Sequence, residues 1–289
     1  MHCPKHCPKH CPKTALPRAA FALAAALLCF ATITNHAAAA AGDSTERAWK
    51  VLDGGVAEPS VDKRAQAVSA LGMLSRDARA ERLAVKALGD EKPEVRAAAA
   101  TALGAMHALS AIPALRKALK DSEVSVVLAA AQSLLLLHDD TAYEVYYEVL
   151  TGQRKSGEGL IEQQKKMLED RKKMTELAVT TGIGFIPFGG IGMTVYKTVT
   201  KDDASPVRAA AAKLLARDPD PKSAQALVAA ASDKSWVVRV AAVDAIGRRG
   251  DRALAEKIAP QLDDEKSVVQ YTAAAAIIHL SELPAARPK

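Results

Sequence analysis

Three sets of residues in this 289-residue sequence have the types and spacing for chemistry. The first is an N-terminal tract, HCPKHCPKHCPK, where Cys3, Cys7 and Cys11 alternate with His2, His6 and His10. Thiolate and imidazole at such spacing suit a metal, although a Pro in every unit favours a low-complexity extension. The second set is an acid and a base six residues apart: Asp90 with Arg96, Asp202 with Arg208, Asp233 with Arg239. Asp121 and Asp264 keep the acid while Val127 and Gln270 replace the base. Perturbed carboxylates do chemistry where they converge on one point. A set strung along the chain does not converge, so these residues read as a structural ladder. The Asp accepts N–H groups at a helix start, and the Arg reaches a turn Asp, its own or that of the adjacent repeat. The third set is His107, His138 and His279, near helix ends, where a cation is favoured by the macrodipole. His107 and His138 are 31 residues apart and hold equivalent places. The Gly-rich stretch Gly182–Gly192 lacks the G-x-G-x-x-G spacing of a dinucleotide loop, and no P-loop, zincin, nucleophile-elbow or kinase signature occurs.

The elements that must position these residues repeat. Arg64, Arg96, Val127, Arg208, Arg239 and Gln270 occupy one equivalent position, at steps of 32, 31, 81, 31 and 31. The step of 81 is one repeat plus 50 extra residues, so the chain holds six repeats and one insertion. Each repeat reads as two helices. Helix A of the second covers about Ala78–Leu88. Helix B starts at Pro93, a favoured first helical position, and carries Val95, Ala98, Ala99, Ala102, Leu103 and Met106 on one face. A unit this short cannot bury its apolar face alone and must stack on its copies. Abundant Ala allows close helix approach.

The turn Asp, the Arg six residues on and the Pro113 inside a helix A (SAIPALRKALK) resemble the HEAT-repeat superfamily, in particular its short, PBS-lyase-like bacterial branch. The resemblance implies an all-α, right-handed α-solenoid of about six HEAT-like helix pairs with one insertion. It implies a concave side built by B helices that binds a protein partner, with no catalysis and no cofactor of its own. Trp236, Asp244, Arg248 and Tyr271, on B helices, are the candidate partner surface. The superfamily includes deoxyhypusine hydroxylases, which hold di-iron through His-Glu dipeptides. This sequence has none, so those ligands do not carry over. Bilin lyases are a second enzyme class of this kind and stay open.

Lys5, Lys9, Lys13 and Arg18 precede an apolar run, Ala19–Ile33, and an Ala-rich stretch follows. That order is a secretory signal, expected to be cleaved near Ala41. Export to the periplasm or outside the cell is therefore expected, with an N-terminal anchor if the signal stays uncleaved. All four Cys lie in this leader. Its four basic residues account for most of the formal charge of +6, which falls to +2 without them. A broad nucleic-acid surface is therefore not expected.

The expected organisation is a leader over 1–41, repeats over 42–150, an insertion over 151–204 and repeats again over 205–289. The insertion splits repeat four, with helix A at Ala142–Gly152 and helix B from Ser205. Within it, Gly159–Glu176 is a basic helix with a narrow apolar stripe that includes Leu160, Ile161 and Met167. Leu177–Tyr196 then runs without charge through Phe185, Ile186 and Phe188, interrupted by five Gly and one Pro. Three readings stay open for it: an apolar hairpin docked on the solenoid, a peripheral membrane contact, or a binding loop over a groove. The unusually apolar Leu134–Leu137 are expected to help receive it.

Overall fold

Ala-rich runs with Pro or a polar residue at their start form the helices. A computed structural model describes residues 42–151 and 205–284, all helix and turn. The leader, the insertion residues Leu160, Ile161, Met167, Phe185, Ile186 and Phe188, and Asp202 lie outside the described residues. The helices are α1 (42–56), α2 (Val61–Ala70), α3 (Ala78–Ala87), α4 (Pro93–Ala105), α5 (Ile112–Ala118), α6 (Val124–Leu136) and α7 (Ala142–Leu150). After the insertion come α8 (Ser205–Leu215), α9 (Pro221–Ala230), α10 (Trp236–Arg249) and α11 (Ser267–Glu282). The A element before α11 is made of 3-10 turns, Arg252–Leu254 and Glu256–Asp263, with Pro260 inside the second. Pro113 acts similarly: it sits at the start of α5, just after a 3-10 turn at Leu109–Ala111.

The B helices are α2, α4, α6, α8, α10 and α11, and they form one row. Their order in space is α8, α10, α11, α2, α4, α6. The chain therefore builds two arrays of three B helices. The last helix of the second array packs on the first helix of the first. The described residues from Asp43 onward are one compact unit, with a hydrophobic core that runs unbroken through both arrays. Small residues set the spacing. A Cβ on Gly104 in α4 would lie 2.5 Å from Ser133 Oγ in α6, and one on Gly247 in α10 would lie 2.7 Å from Met73 Sδ. Successive B helices touch closely, whereas α3 and α5 hardly meet.

One expected pairing differs. The two helices read as repeat four do not pack together as a pair: α7 lies against α6 at one end of the row, and α8 lies against α10 at the other. Sequence period records which helices are equivalent, and neighbourhood in space is a separate fact.

Three of the B helices, α4, α6 and α10, end alike. His107, His138 and Gly250 are left-handed, with φ of 56°, 60° and 74°. At the two His, the next N–H bonds the carbonyl five residues back: Ala108 to Leu103 at 3.1 Å, Asp139 to Leu134 at 2.8 Å. This is a Schellman cap, which favours Gly because a Cβ is strained there. His138→Gly is expected to raise stability by about 1 kcal/mol, measured by urea denaturation.

Candidate interaction surface

The Asp/Arg ladder is built from the turns upward. Each turn Asp accepts the N–H two residues on: Lys92 to Asp90, Glu123 to Asp121, Ser235 to Asp233 and Lys266 to Asp264, at 2.8–2.9 Å. Each Arg then divides its donors. Arg96 Nη1 donates to carbonyls of its own turn, Asp90 O at 2.9 Å and Glu91 O at 3.2 Å. Its Nε and Nη2 grip Asp121 of the next repeat, both at 2.8 Å. Arg64 grips Asp90 and Arg239 grips Asp264 in the same two-pronged way, and Arg208 reaches Asp233. A rigid guanidinium fork suits this task. The Arg64 guanidinium holds the Asp90 carboxyl below the ordinary range, and Arg96 does the same to Asp121. Their contribution to stability is present above about pH 3.8 and is lost as pH falls through the lowered values.

The ladder stops at each array's last helix. Val127 in α6 makes no such bond. Gln270 in α11 keeps only the local half, donating to its own turn's Asp264 O at 2.6 Å. Beyond α6, Asp139 is held instead by Arg116 of α5 at 2.6 and 3.0 Å.

Of the four candidate surface residues, the structure brings Asp244 and Arg248 together, 2.8 Å apart on one face of α10. Lys213 of α8 lies near both, and burial pushes its ammonium below the usual lysine range. Trp236 is half-buried against Val240, Val268 and Val269. Tyr271 is the correction. It is 4% exposed, and a Cβ on Gly55 would sit 2.5 Å from its ring. Expected on an exposed B-helix position, it sits on a helix that the first repeat covers. Of Leu134–Leu137, Leu134 and Leu137 are in the core, and Leu136 is exposed.

Beside Asp244, sequence reasoning missed the side chains that share its place five after the ladder position: Ser69, Thr101, Gln132 and Lys213. These five are exposed or half-exposed on the B helices, but the same place in α11 is the buried Ala275, so they form two sets, one on each array. The repeat alignment was the available signal. Large exposed apolar residues lie at both ends of the row, Leu136, Tyr143, Tyr147 and Leu150 at one and Val207 and Leu214 at the other, and also at Val85 and Leu109.

Two cavities of mixed polar and apolar lining lie among the described residues. One of about 370 Å³ is lined by Arg217, Asp218, Arg249 and Asp251, with Arg249 donating to the carbonyls of Asp218 and Asp220 after α8. The other, about 290 Å³, is lined by Arg76, Glu81, His107 and Ser110, and there Ser110 donates to Glu81. No group of three His, Cys, Asp or Glu able to hold a metal occurs among the described residues.

Where the arrays meet, partial burial and then a hydrogen bond to Asp77 push the Glu282 carboxyl up to about 7. The folded chain therefore holds a proton between about pH 4.5 and pH 7 that the unfolded chain lacks. This group's contribution weakens stability as pH rises through that window and is flat above it. Glu282→Gln is expected to flatten the melting temperature across that window and to raise it above pH 7 relative to the parent, read by thermal melts.

The chain matches the family model for HEAT repeats over residues 51–135 and 194–278. Among solved structures it is similar to the complex of CpcE and CpcF of phycocyanin lyase from Nostoc sp. PCC7120, at 20% identity and a TM-score of 0.33, covering 79% of this chain and 93% of that one. It is also similar to human deoxyhypusine hydroxylase in complex with glycerol, at 17% identity and a TM-score of 0.30, covering 79% and 83%. No curated protein matches it in sequence.

Proposed function

Because the chain belongs to the HEAT-repeat family, we propose that it is a protein-binding scaffold that acts outside the cytoplasm and carries out no reaction of its own. One observation carries this reading. The ladder commits its Arg and Asp side chains to holding repeats together, while Ser69, Thr101 and Gln132 on one array and Lys213 and Asp244 on the other stay exposed or half-exposed on the B helices, the two sets separated by the buried Ala275. Stacked repeats present surfaces of this kind to extended partners. Lys213, Asp244 and Arg248 are the charged end of this surface. The leader's charge and apolar pattern supports the location.

Chemical crosslinking in extracytoplasmic extract tests the reading. A protein captured by the parent chain should be lost with Lys213→Glu combined with Arg248→Glu. An unchanged set of captured proteins rejects this surface. A metal analysis and absorption spectrum of the purified protein test for chemistry: bound iron or a bilin band would overturn the non-enzymatic reading.

A second reading draws on the exposed Tyr143, Tyr147 and Leu150, which adjoin the insertion. In it, the insertion and these residues meet a membrane surface through Leu160, Ile161, Met167, Phe185, Ile186 and Phe188. No described helix is long and apolar enough to cross a membrane. Flotation with anionic vesicles, with and without residues 156–200, separates the two readings.

A further inference from the structure

The contact between the arrays is unlike the contacts inside them. Within an array, an Arg fork ties each B helix to the next repeat's turn. Between α11 and α2 there is no fork, because Gln270 stands at the Arg position and turns back to its own carbonyl. A different set of bonds replaces it. Ser267 Oγ donates to Gln66 Oε1 at 2.9 Å, and Ser44 Oγ donates to Glu256 Oε1 at 2.6 Å. Arg47 pairs with Asp263 at 2.9 Å. The Tyr271 ring closes over Gly55 with no room for a Cβ, and Met73 packs against Gly247 and Ala276. These partners are 201–216 residues apart where the bonds are polar. The direct covalent link between the arrays, residues 152–204, joins the opposite ends of the row.

We propose that this joint is a complete protein–protein interface in its own right, and that it holds the two arrays together without help from the chain that connects them. It has the anatomy of one: a buried aromatic over a glycine at its centre, and an ion pair and hydrogen bonds around it. Its partner is the other array, and the link serves only to keep the local concentration of that partner high.

The test uses the full chain. A recognition site for a specific protease is inserted after Ser156, and the folded protein is then cut. The two fragments are expected to co-elute in size exclusion at micromolar concentration as a one-to-one complex with the melting profile of the uncut protein. Fragments that separate at that concentration overturn the proposal. A second variant locates the interface. Arg47→Glu places like charges at the Arg47–Asp263 contact, whose side chains are 43% and 75% exposed. In the cut protein it should weaken association by roughly tenfold, with the loss shrinking at high salt. Gly55→Leu should weaken it by roughly a hundredfold or more, because the added atoms overlap the Tyr271 ring, besides crowding Ala67 within the first array. If cut protein carrying both changes stays together as tightly as the parent, the joint is not what holds the arrays, and the proposal fails.

Discussion

Arg239→Ala is expected to destabilise the folded protein by about 3–5 kcal/mol, seen as a lower midpoint in urea. The Arg239 side chain is 10% exposed and its partner Asp264 is 9% exposed. Removing the guanidinium strands a carboxylate that still sits among the turns. It also frees the carbonyls of Asp233 and Lys234, which Arg239 Nη1 bonds at 3.0 and 3.3 Å. Arg239→Lys should recover only a small part, because one ammonium cannot grip both carboxylate oxygens and the turn at once. Arg248→Ala is the control. Its pair with Asp244 is 69% exposed on the Arg side, so its loss should cost under about 0.5 kcal/mol. Equal losses for the two variants would contradict the ladder's role.

Tyr271→Ala should cost a similar amount, about 3–5 kcal/mol, by emptying the volume between α11 and α2. Tyr271→Phe keeps the ring and should recover most of it. The discriminating measurement is hydrogen exchange. The loss should appear first in α11, α2 and their neighbours, while α4 and α6 keep their protection longer. Uniform loss over all B helices would mean that the arrays do not move as separate blocks.

The helix pair, the turn Asp and the Arg six residues later were readable because they are local. A carboxylate at a helix start and an apolar face at helical period follow from a few neighbouring residues. Which carboxylate the Arg takes was left open between two, and the structure selects the next repeat's while the Arg's own turn receives the remaining donor. The order of the row was not readable from period. Steps of 31 residues count equivalent helices without saying which of them touch. The signal was present in another form. Reading the equivalent positions as Arg, Arg, Val and then Arg, Arg, Gln divides the chain into two triplets, each ending where the fork has no next repeat to hold. Tyr271 followed from the same oversight. A residue on the last repeat of a simple solenoid would face water, and this one faces Gly55. Ser69, Thr101, Gln132 and Lys213 were missed because single polar residues carry no chemistry and gain meaning only in register.

The row's order has a mechanical consequence. Residues 42 and 284 lie at its middle, and residues 151 and 205 at its two ends. An ordinary solenoid pulled from its termini is loaded along its length and peels from the tips. Here a force between residues 42 and 284 falls first on the α11–α2 contact, before any repeat is asked to unravel. The part with no Arg fork is thus the first to carry tension, and its release would part the two triplets while leaving each one wound.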